Sequence, residues 1–185
     1  MCKRRAARMR KLLNSELGRK SVEEYRLSGK SPFVVVLDNV RSHNNVGSVF
    51  RSADAFLTEA IYLCGITGQP PHRDIQKTAL GATESIPWKY FQNTMDAVNE
   101  LRSAGYTIIG IEQAEHSIAL RDFKVEADKK YALIFGHEVN GVSQEVIDAC
   151  DYVIEIPQFG TKHSFNISVT AGIVLWELNN KVYEL

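Results

Sequence analysis

Short apolar runs that recur along the chain constrain its fold more than any other feature. They are rich in Val, Ile and Tyr and do not alternate with polar residues, which is typical of strands buried on both faces of a parallel sheet. Stretches with helical spacing separate them, so the chain is predicted to be α/β, with a mostly parallel sheet and helices on both faces. The predicted strands span 33–37, 60–64, 106–111, 131–135 and 152–156, and the predicted helices around them span 45–56, 94–104, 143–149 and 167–182.

The N-terminal part of the chain differs from the rest in charge. Residues 1–30 contain ten Lys or Arg and three Glu, a net charge of +7, whereas the other 155 residues contain 12 basic and 19 acidic residues, a net charge of −7. A basic segment on a mildly acidic body favours a polyanionic partner such as RNA, since Lys and Arg release phosphate counterions on binding. A solvated helical face or an unstructured terminus would have the same composition.

The same region predicts a division of the chain into two parts. Residues 3–18 have helical spacing, and Ser21 with Glu24 forms a capping-box pattern that opens a second, short helix. A break then follows around Pro32, where glycine, serine and proline cluster. We therefore expect a basic, helical, RNA-contacting extension over 1–31 and a single domain over 32–185.

Whole-chain properties exclude several classes of protein. The length of 185 residues suits one domain, and 44% hydrophobic with 24% charged residues is ordinary for a globular chain. The first residues lead into no apolar segment of a signal peptide, and no apolar run approaches the roughly 20 residues that cross a bilayer. The three cysteines are far apart and lack a zinc spacing. We expect a cytoplasmic protein that has no membrane segment and no metal.

Chemistry is expected in the segments that directly follow strands, because ligands of parallel sheets bind at the carboxyl ends of the strands. In the first such segment, Asn45 stands at a predicted helix start, Gly47 permits close approach, and Arg51 follows six residues after Asn45. A guanidinium among apolar residues is costly unless a carboxylate or phosphate meets it, and Glu138 is the acid placed to do so. The alternative is an ordinary helix start with a surface arginine.

Two further segments follow later strands. After 131–135, Gly136 and Gly141 flank Glu138, and glycines at this point favour a ligand that contacts the backbone. No lysine follows Gly141, which excludes a phosphate loop, and a tight turn with an exposed glutamate is the alternative. After 152–156, Ser164 or Asn166 can cap the last helix, and capping alone explains either residue without catalysis.

Together the three segments resemble the signature motifs of the SpoU (TrmH-like) branch of the SPOUT RNA methyltransferases, and the resemblance covers roughly residues 32–182. Phe165 is a departure, because the family usually has leucine there. The residues that match are, motif by motif, Asn45, Gly47 and Arg51; Gly136, Glu138 and Gly141; Ile156, Pro157, Gly160, Ser164 and Asn166.

What the resemblance implies goes beyond what the pattern of elements can show. It implies a C-terminal trefoil knot, which is rare among folds. It also implies S-adenosylmethionine as the cofactor, with the segment 107–112 nearby, and a homodimer formed through the last helix. The residues implied to bind the cofactor are Gly136, Gly141, Ile156, Gly160 and Phe165.

The implied reaction is transfer of a methyl group to a ribose 2′-hydroxyl of tRNA or rRNA, with tRNA favoured. The cofactor supplies the methyl group and the protein supplies alignment. Arg51 is expected to position both the hydroxyl and an RNA phosphate. Asn45 is expected to orient either the ribose or Arg51. Glu138 is expected to hold Arg51 through an ion pair, while Ser164 and Asn166 shape the place where donor and acceptor meet.

Two other classes of function stay open at this point. One is an RNA-binding protein that keeps the fold without turnover, against which the intact polar motif residues argue. The other is an α/β enzyme that acts on a nucleotide or another small molecule, although the chain has no phosphate loop or dinucleotide fingerprint. Activity on RNA but not on free nucleosides would separate these classes from a methyltransferase.

Overall fold

One sheet organises the part of the chain that is described, residues 9–183 of a computed structural model. Its strands are β1 (Ser31–Asp38), β2 (Thr58–Cys64), β3 (Trp88–Phe91), β4 (Tyr106–Ile111), β5 (Ile118–Ala119), β6 (Lys130–Phe135) and β7 (Tyr152–Glu155). They lie in the order β3-β2-β1-β6-β4-β7-β5, and every pairing is parallel. The prediction of a parallel sheet is therefore confirmed.

Helices cover both faces of this sheet. They are α1 (Val22–Leu27), α2 (His43–Ala55), α3 (Arg73–Ala79), α4 (Ala82–Ser85), α5 (Thr94–Ser103), α6 (Gln144–Asp148) and α7 (Ile167–Tyr183). Alternate residues of β1 enter two separate cores: Phe33 and Val35 pack with α2, α3, α4 and α7, whereas Val34 and Val36 pack with α5 and α6. Because β1 is buried on both faces, its residues form a continuous apolar run.

Two strands and two helices have no counterpart in the sequence prediction. β3 and β5 lie at the two edges of the sheet and their side chains are exposed or half-buried, so neither shows the continuous apolar pattern of the inner strands. α3 and α4 contain seven and four residues, which is too short to establish helical spacing.

The predicted helix over 3–18 is wrong across its described part; residues 1–8 lie outside the described residues. Residues 9–13 are not helical, and Asn14–Glu16 form a single 3-10 turn. The Arg10 guanidinium pairs with the Glu16 carboxylate at 2.7 Å instead. Met9 and the leucines after it are exposed. Because a helix gains most of its stability by packing an apolar face, the helical spacing alone does not form one here.

The second predicted helix is confirmed as α1, and it is not detached from the domain. Ser21 and Glu24 form the expected capping box. Tyr25 is buried, and its hydroxyl donates to the carbonyl of Thr58 at 3.0 Å. Burial raises the pKa of the Tyr25 hydroxyl well above its ordinary value. The end of the extension therefore packs on the core ahead of the predicted boundary at residue 31.

The segment between β7 and α7 is held by hydrogen bonds to residues that follow other strands of the sheet. The Gln113 amide, just after β4, donates to the carbonyl of His163 at 2.7 Å. Asn166 reaches α2, where its amide donates to Asn45 Oδ1 at 3.1 Å. The trefoil knot implied by the resemblance stays a prediction for this segment. Over residues 9–183, no helix combines the length and the apolar character needed to span a membrane.

Candidate functional site

The carboxyl ends of β4, β6 and β7 meet at one cavity of about 500 Å³. Parallel strands bring their following loops to a common edge, which is why residues from distant parts of the chain converge there. The volume is within the range of small-molecule sites. Four segments of the chain form the wall of this cavity. They are the end of β4 with the residues after it (111–113), the end of β6 with its following loop (135–141), the end of β7 with the residues after it (154–156 and 158), and the residues around the start of α7 (163–167 and 170).

The loop after β6 closes on itself by backbone hydrogen bonds. The His137 and Gly141 N–H groups donate to each other's carbonyls, at 3.0 and 2.8 Å. His137 Nδ1 accepts from the N–H groups of Val139 and Asn140. A Cβ on Gly136 would lie 2.1 Å from the Gly141 carbonyl carbon and from the Val142 nitrogen, so no larger residue fits. The two glycines expected from the sequence thus shape this wall.

Glu112 supports the same loop from the end of β4. Its Oε2 accepts from the Val142 N–H at 3.0 Å and its Oε1 from the Gln113 N–H at 2.9 Å. Gly141 has φ of +67°, and a Cβ there would meet Glu112 Oε2 at 2.1 Å. The family resemblance implied that 107–112 lies near the cofactor, but this supporting role of Glu112 was not predicted, because hydrogen bonds from main-chain N–H groups leave no mark in the sequence.

A chain of hydrogen bonds joins the three motif segments. The Asn45 amide donates to Glu138 Oε1 at 3.0 Å, and Asn45 Oδ1 accepts from the Asn166 amide at 3.1 Å. Asn166 Oδ1 in turn accepts from the N–H and the hydroxyl of Ser168, in the first turn of α7. Asn166 therefore has the helix-start role that the sequence analysis kept as an alternative, and it also contacts Asn45.

Glu138 does not pair with Arg51, and that prediction is wrong. Its carboxylate accepts from the N–H groups of Arg41 and Ser42, each at 3.0 Å, besides the Asn45 amide. Ser42, not Asn45, is the N-cap of α2, so Asn45 lies inside the first turn. Glu138 thus holds the start of α2 at the cavity, where the helix N-terminus favours a negative charge.

Arg51 lies on the surface. α2 buries Val46, Val49 and Phe50, whereas Arg51 is exposed and makes no ion pair within residues 9–183. It follows Asn45 by six residues, and at about 100° per residue its side chain leaves the helix about 120° away from that of Asn45. Arg51 therefore points away from Asn45, its guanidinium lacks the expected apolar surroundings, and it lines neither of the two cavities.

A second, smaller cavity of about 330 Å³ lies beside the first. Arg41, Ser42, Asn45 and Glu138 line it, and Glu138 also lines the larger cavity. Arg41 is exposed, so its guanidinium is available to an anionic group that enters. Arg41 was not singled out in the sequence, because a single arginine after a strand carries no distinctive spacing.

The remaining predicted site residues are placed as follows. Ile156, Ser164 and Phe165 line the larger cavity, with Phe165 half-exposed. Gly160 does not line it, and a Cβ at Gly160 would meet nothing within 4 Å. The structure therefore does not bring Gly160 to the cavity, contrary to the expectation. Among the described residues, no group of three or more His, Cys, Asp or Glu could hold a metal ion.

Burial raises the pKa of the Glu138 carboxyl, but the N–H donors from Arg41, Ser42 and Asn45 outweigh it, and the net pKa lies below its ordinary value. A carboxyl with a lowered folded-state pKa stabilises the fold above its unfolded-state pKa of about 4.3, and that contribution is lost as the pH falls through the folded-state pKa.

Glu138→Gln is therefore expected to lower the free energy of unfolding at neutral pH by about 2 kcal/mol, since it replaces a charged acceptor by an amide. The difference from the natural chain should shrink as the pH falls below about 4. Urea unfolding at several pH values measures both effects, with Glu145→Gln, at an exposed glutamate of α6, as the control. A pH-independent loss would assign the effect to packing and not to charge.

Comparison with known proteins gives a consistent assignment. The model of the SpoU rRNA Methylase family matches residues 32–176. A curated relative from Staphylococcus haemolyticus, named as a TrmH family tRNA/rRNA methyltransferase, is 31% identical over 152 residues, which are 82% of this chain and 60% of the relative. The chain thus spans less than two thirds of the length of the curated relatives that it matches.

Solved structures share the fold. A TrmH/SpoU tRNA modifying enzyme from A. aeolicus has a TM-score of 0.78 at 25% identity, covering 88% of this chain and 83% of that one. An AdoMet-bound rRNA methyltransferase from Sinorhizobium meliloti has a TM-score of 0.75 at 28% identity, covering 88% of this chain and 61% of that one. Since the family model runs from β1 into α7 and includes every residue that lines the two cavities, the chain belongs to the SpoU rRNA methylase family.

Proposed function

We propose that this chain is an S-adenosylmethionine-dependent RNA methyltransferase that methylates a ribose 2′-hydroxyl. The observation that carries the proposal is the pair of adjoining cavities, which share Glu138 and are joined by the hydrogen-bonded side chains of Asn45 and Asn166 in a member of the SpoU family. Two adjoining cavities suit a reaction in which a donor and an acceptor must meet in one orientation.

The larger cavity fits S-adenosylmethionine. Its walls combine a glycine loop with little side-chain bulk and apolar side chains such as Ile156 and Phe165, which suit an adenine ring. The relative from S. meliloti was solved with AdoMet bound, which supports the same cofactor here. When bound, S-adenosylmethionine supplies a methyl group on a positively charged sulfur. Gly136, Gly141, Ile156 and Phe165 would hold it.

The smaller cavity fits the acceptor ribose and its phosphate. Arg41 would neutralise the phosphate, and Asn45 would orient the ribose, because Asn45 is itself fixed by Glu138 and Asn166. Glu138 already accepts three N–H groups, so we assign it the positioning of α2 and Asn45 and not proton removal. Ser164 would border the meeting point of donor and acceptor.

The proposed enzyme is a homodimer through α7. Val169, Trp176 and Tyr183 are exposed at intervals of seven residues, so they form one apolar stripe along this helix. α2 packs against α7, with Ser52 facing Gly172. A partner that covers the stripe would therefore lie close to α2, and we propose that Arg51 contributes to hydroxyl positioning in that assembled state.

The proposed substrate is tRNA or rRNA in the cytoplasm, with tRNA favoured, and the basic extension over 1–31 is proposed to hold RNA phosphates. Deleting residues 1–20, which include eight Lys or Arg and one Glu, is expected to weaken RNA binding and flatten its salt dependence, since fewer counterions are released. Filter binding over a range of salt concentrations measures this, with Lys124→Ala plus Lys129→Ala as the control. An unchanged salt slope would contradict the role of the extension.

The decisive experiment is transfer of labelled methyl from S-adenosylmethionine to total RNA from cells that lack the gene. Size fractionation then identifies the RNA class, and nuclease digestion followed by mass spectrometry identifies the methylated position. A 2′-O-methylated nucleoside in one RNA class would support the proposal, whereas a methylated base would contradict it. Cofactor binding without transfer would point to a missing partner or a precursor RNA as substrate. Neither transfer nor cofactor binding would contradict the proposal and leave an RNA-binding protein without turnover.

A further inference from the structure

The side chain of Phe159 is 95% exposed, and it directly follows Gln158, which lines the larger cavity. It belongs to the segment between β7 and α7, of which Gln158, His163 and Ser164 line that cavity. A single exposed apolar side chain is common on protein surfaces, so the exposure of Phe159 is informative only together with other exposed apolar side chains on the same part of the surface.

The segment that carries Phe159 is tied to the body of the protein on both sides. It leaves β7 at Ile156, which lines the cavity, and the carbonyl of His163 accepts the Gln113 amide at 2.7 Å. Beyond that, Asn166 is held by Asn45. Phe159 therefore lies on a loop that is fixed at both ends, between two residues that line the cavity, Gln158 and His163.

Two other exposed apolar side chains line the cavity itself. Val139, 77% exposed, comes from the loop after β6, and Phe165, 43% exposed, comes from the start of α7. We call Val139, Phe159 and Phe165 the apolar rim. A rim of this kind favours a flat, apolar surface as its occupant.

Charge indicates what that occupant is. Residues 156–166 contain a lysine and a histidine, Lys162 and His163, both exposed, and no acidic residue. The acids that line the cavity are Glu112 and Glu138, which accept main-chain N–H groups, and Glu155 at the end of β7. Aromatic and basic side chains side by side are the features that bind single-stranded nucleic acid, through base stacking and phosphate contacts.

We propose that Phe159 is the stacking platform for an unpaired nucleobase of the RNA, next to the nucleotide whose ribose enters the smaller cavity. The proposal rests on the proposed function, because it takes RNA as the substrate. The face of the ring would pack on the base, and Lys162 would contact the adjoining phosphate. Stacking accepts any base but is stronger for purines, so Phe159 would raise the affinity for RNA and favour purine bases at this position. The alignment of the methyl donor with the acceptor hydroxyl would not depend on Phe159.

Binding of short fluorescein-labelled oligo(A) and oligo(U) RNAs to the full-length protein tests this without requiring turnover. Phe159→Ala is expected to weaken oligo(A) binding by roughly 5- to 100-fold and to reduce the preference for oligo(A) over oligo(U). Phe159→Trp should restore both, whereas Phe159→Leu, which keeps apolar bulk without an aromatic face, should not. Leu80→Ala, at a leucine just after α3 that is 65% exposed, is the matched control and should leave binding unchanged.

Methyl transfer to the RNA class identified above separates this proposal from the proposed function. Phe159→Ala should raise the KM for RNA with kcat and S-adenosylmethionine affinity within about threefold of the natural chain, because stacking acts in RNA binding alone. An equal loss of cofactor affinity would place Phe159 in the cofactor site and overturn the proposal, as would a changed oligomeric state in sedimentation. If the natural chain binds oligo(A) through Phe159 but transfers no methyl group, the proposed function fails and the stacking platform stands.

Discussion

Arg51→Ala is expected to lower the rate of methyl transfer to RNA by about 10²- to 10⁴-fold, the range for loss of a group that aids proton transfer or stabilises developing charge. S-adenosylmethionine affinity should stay within a few-fold, because Arg51 does not line the larger cavity. Single-turnover methyl transfer and calorimetric titration of the cofactor measure the two quantities. The expectation follows from the SpoU motif and from the exposure of Arg51 near the proposed dimer surface.

Two controls sharpen this test. Arg51→Lys keeps the positive charge but loses the planar fork of donors, so it should recover little activity if the guanidinium positions both a hydroxyl and a phosphate. Arg121→Ala removes an exposed arginine beyond β5 and should transfer methyl normally. Equal losses of cofactor affinity and activity in Arg51→Ala would instead make Arg51 a structural residue.

Gly136→Ala is expected to have the largest effect on cofactor binding. The new Cβ would lie 2.1 Å from main-chain atoms of Gly141 and Val142, so the backbone of the loop must move. Overpacking of this kind costs about 1–3 kcal/mol of stability. Because a displaced wall no longer matches the shape of the cofactor, S-adenosylmethionine binding should weaken by at least about tenfold, which corresponds to about 1.4 kcal/mol.

The matched control is Gly160→Ala. A Cβ at Gly160 meets nothing within 4 Å, so this variant should keep the stability and cofactor affinity of the natural chain. Thermal unfolding and calorimetric titration compare the two variants directly. If Gly136→Ala binds the cofactor normally, the loop after β6 is not part of the cofactor site. If Gly160→Ala loses affinity, the original expectation for Gly160 is restored.

The sequence predicted β1, β2, β4 and β6 well because their burial on both faces produces a continuous apolar run. The edge strands β3 and β5 lack that signal, since partial exposure removes the apolar run. The helical spacing over 3–18 failed for the opposite reason. Spacing reports only which residues could share a face, and the described leucines of this segment remain exposed without a surface to pack on.

The sequence predicted which chain segments meet at the cavities better than it predicted their contacts, and Arg51 and Gly160 lie outside both cavities. The rule that ligands bind beyond strand ends brought Asn45, Glu138 and Asn166 together correctly. The prediction that Glu138 pairs with Arg51 was wrong, because Glu138 mainly accepts from backbone N–H groups at the start of α2. Every residue but proline has such a group, so the sequence does not indicate which of them a carboxylate will contact. The support from Glu112 was invisible for the same reason.

The order of strands in the sheet has a consequence for how the chain folds during synthesis. β2 pairs with β1 on one side and with β3 on the other, so these three strands can assemble once residue 91 has left the ribosome. β4 has no such partner, because both of its neighbours, β6 and β7, come later in the chain. During synthesis, both edges of the apolar strand β4 therefore stay unpaired until residues 130–155 have left the ribosome. Pairing between strands so far apart in the chain is slow, and unpaired strand edges are prone to aggregation. We expect chaperones to engage the nascent chain in this interval.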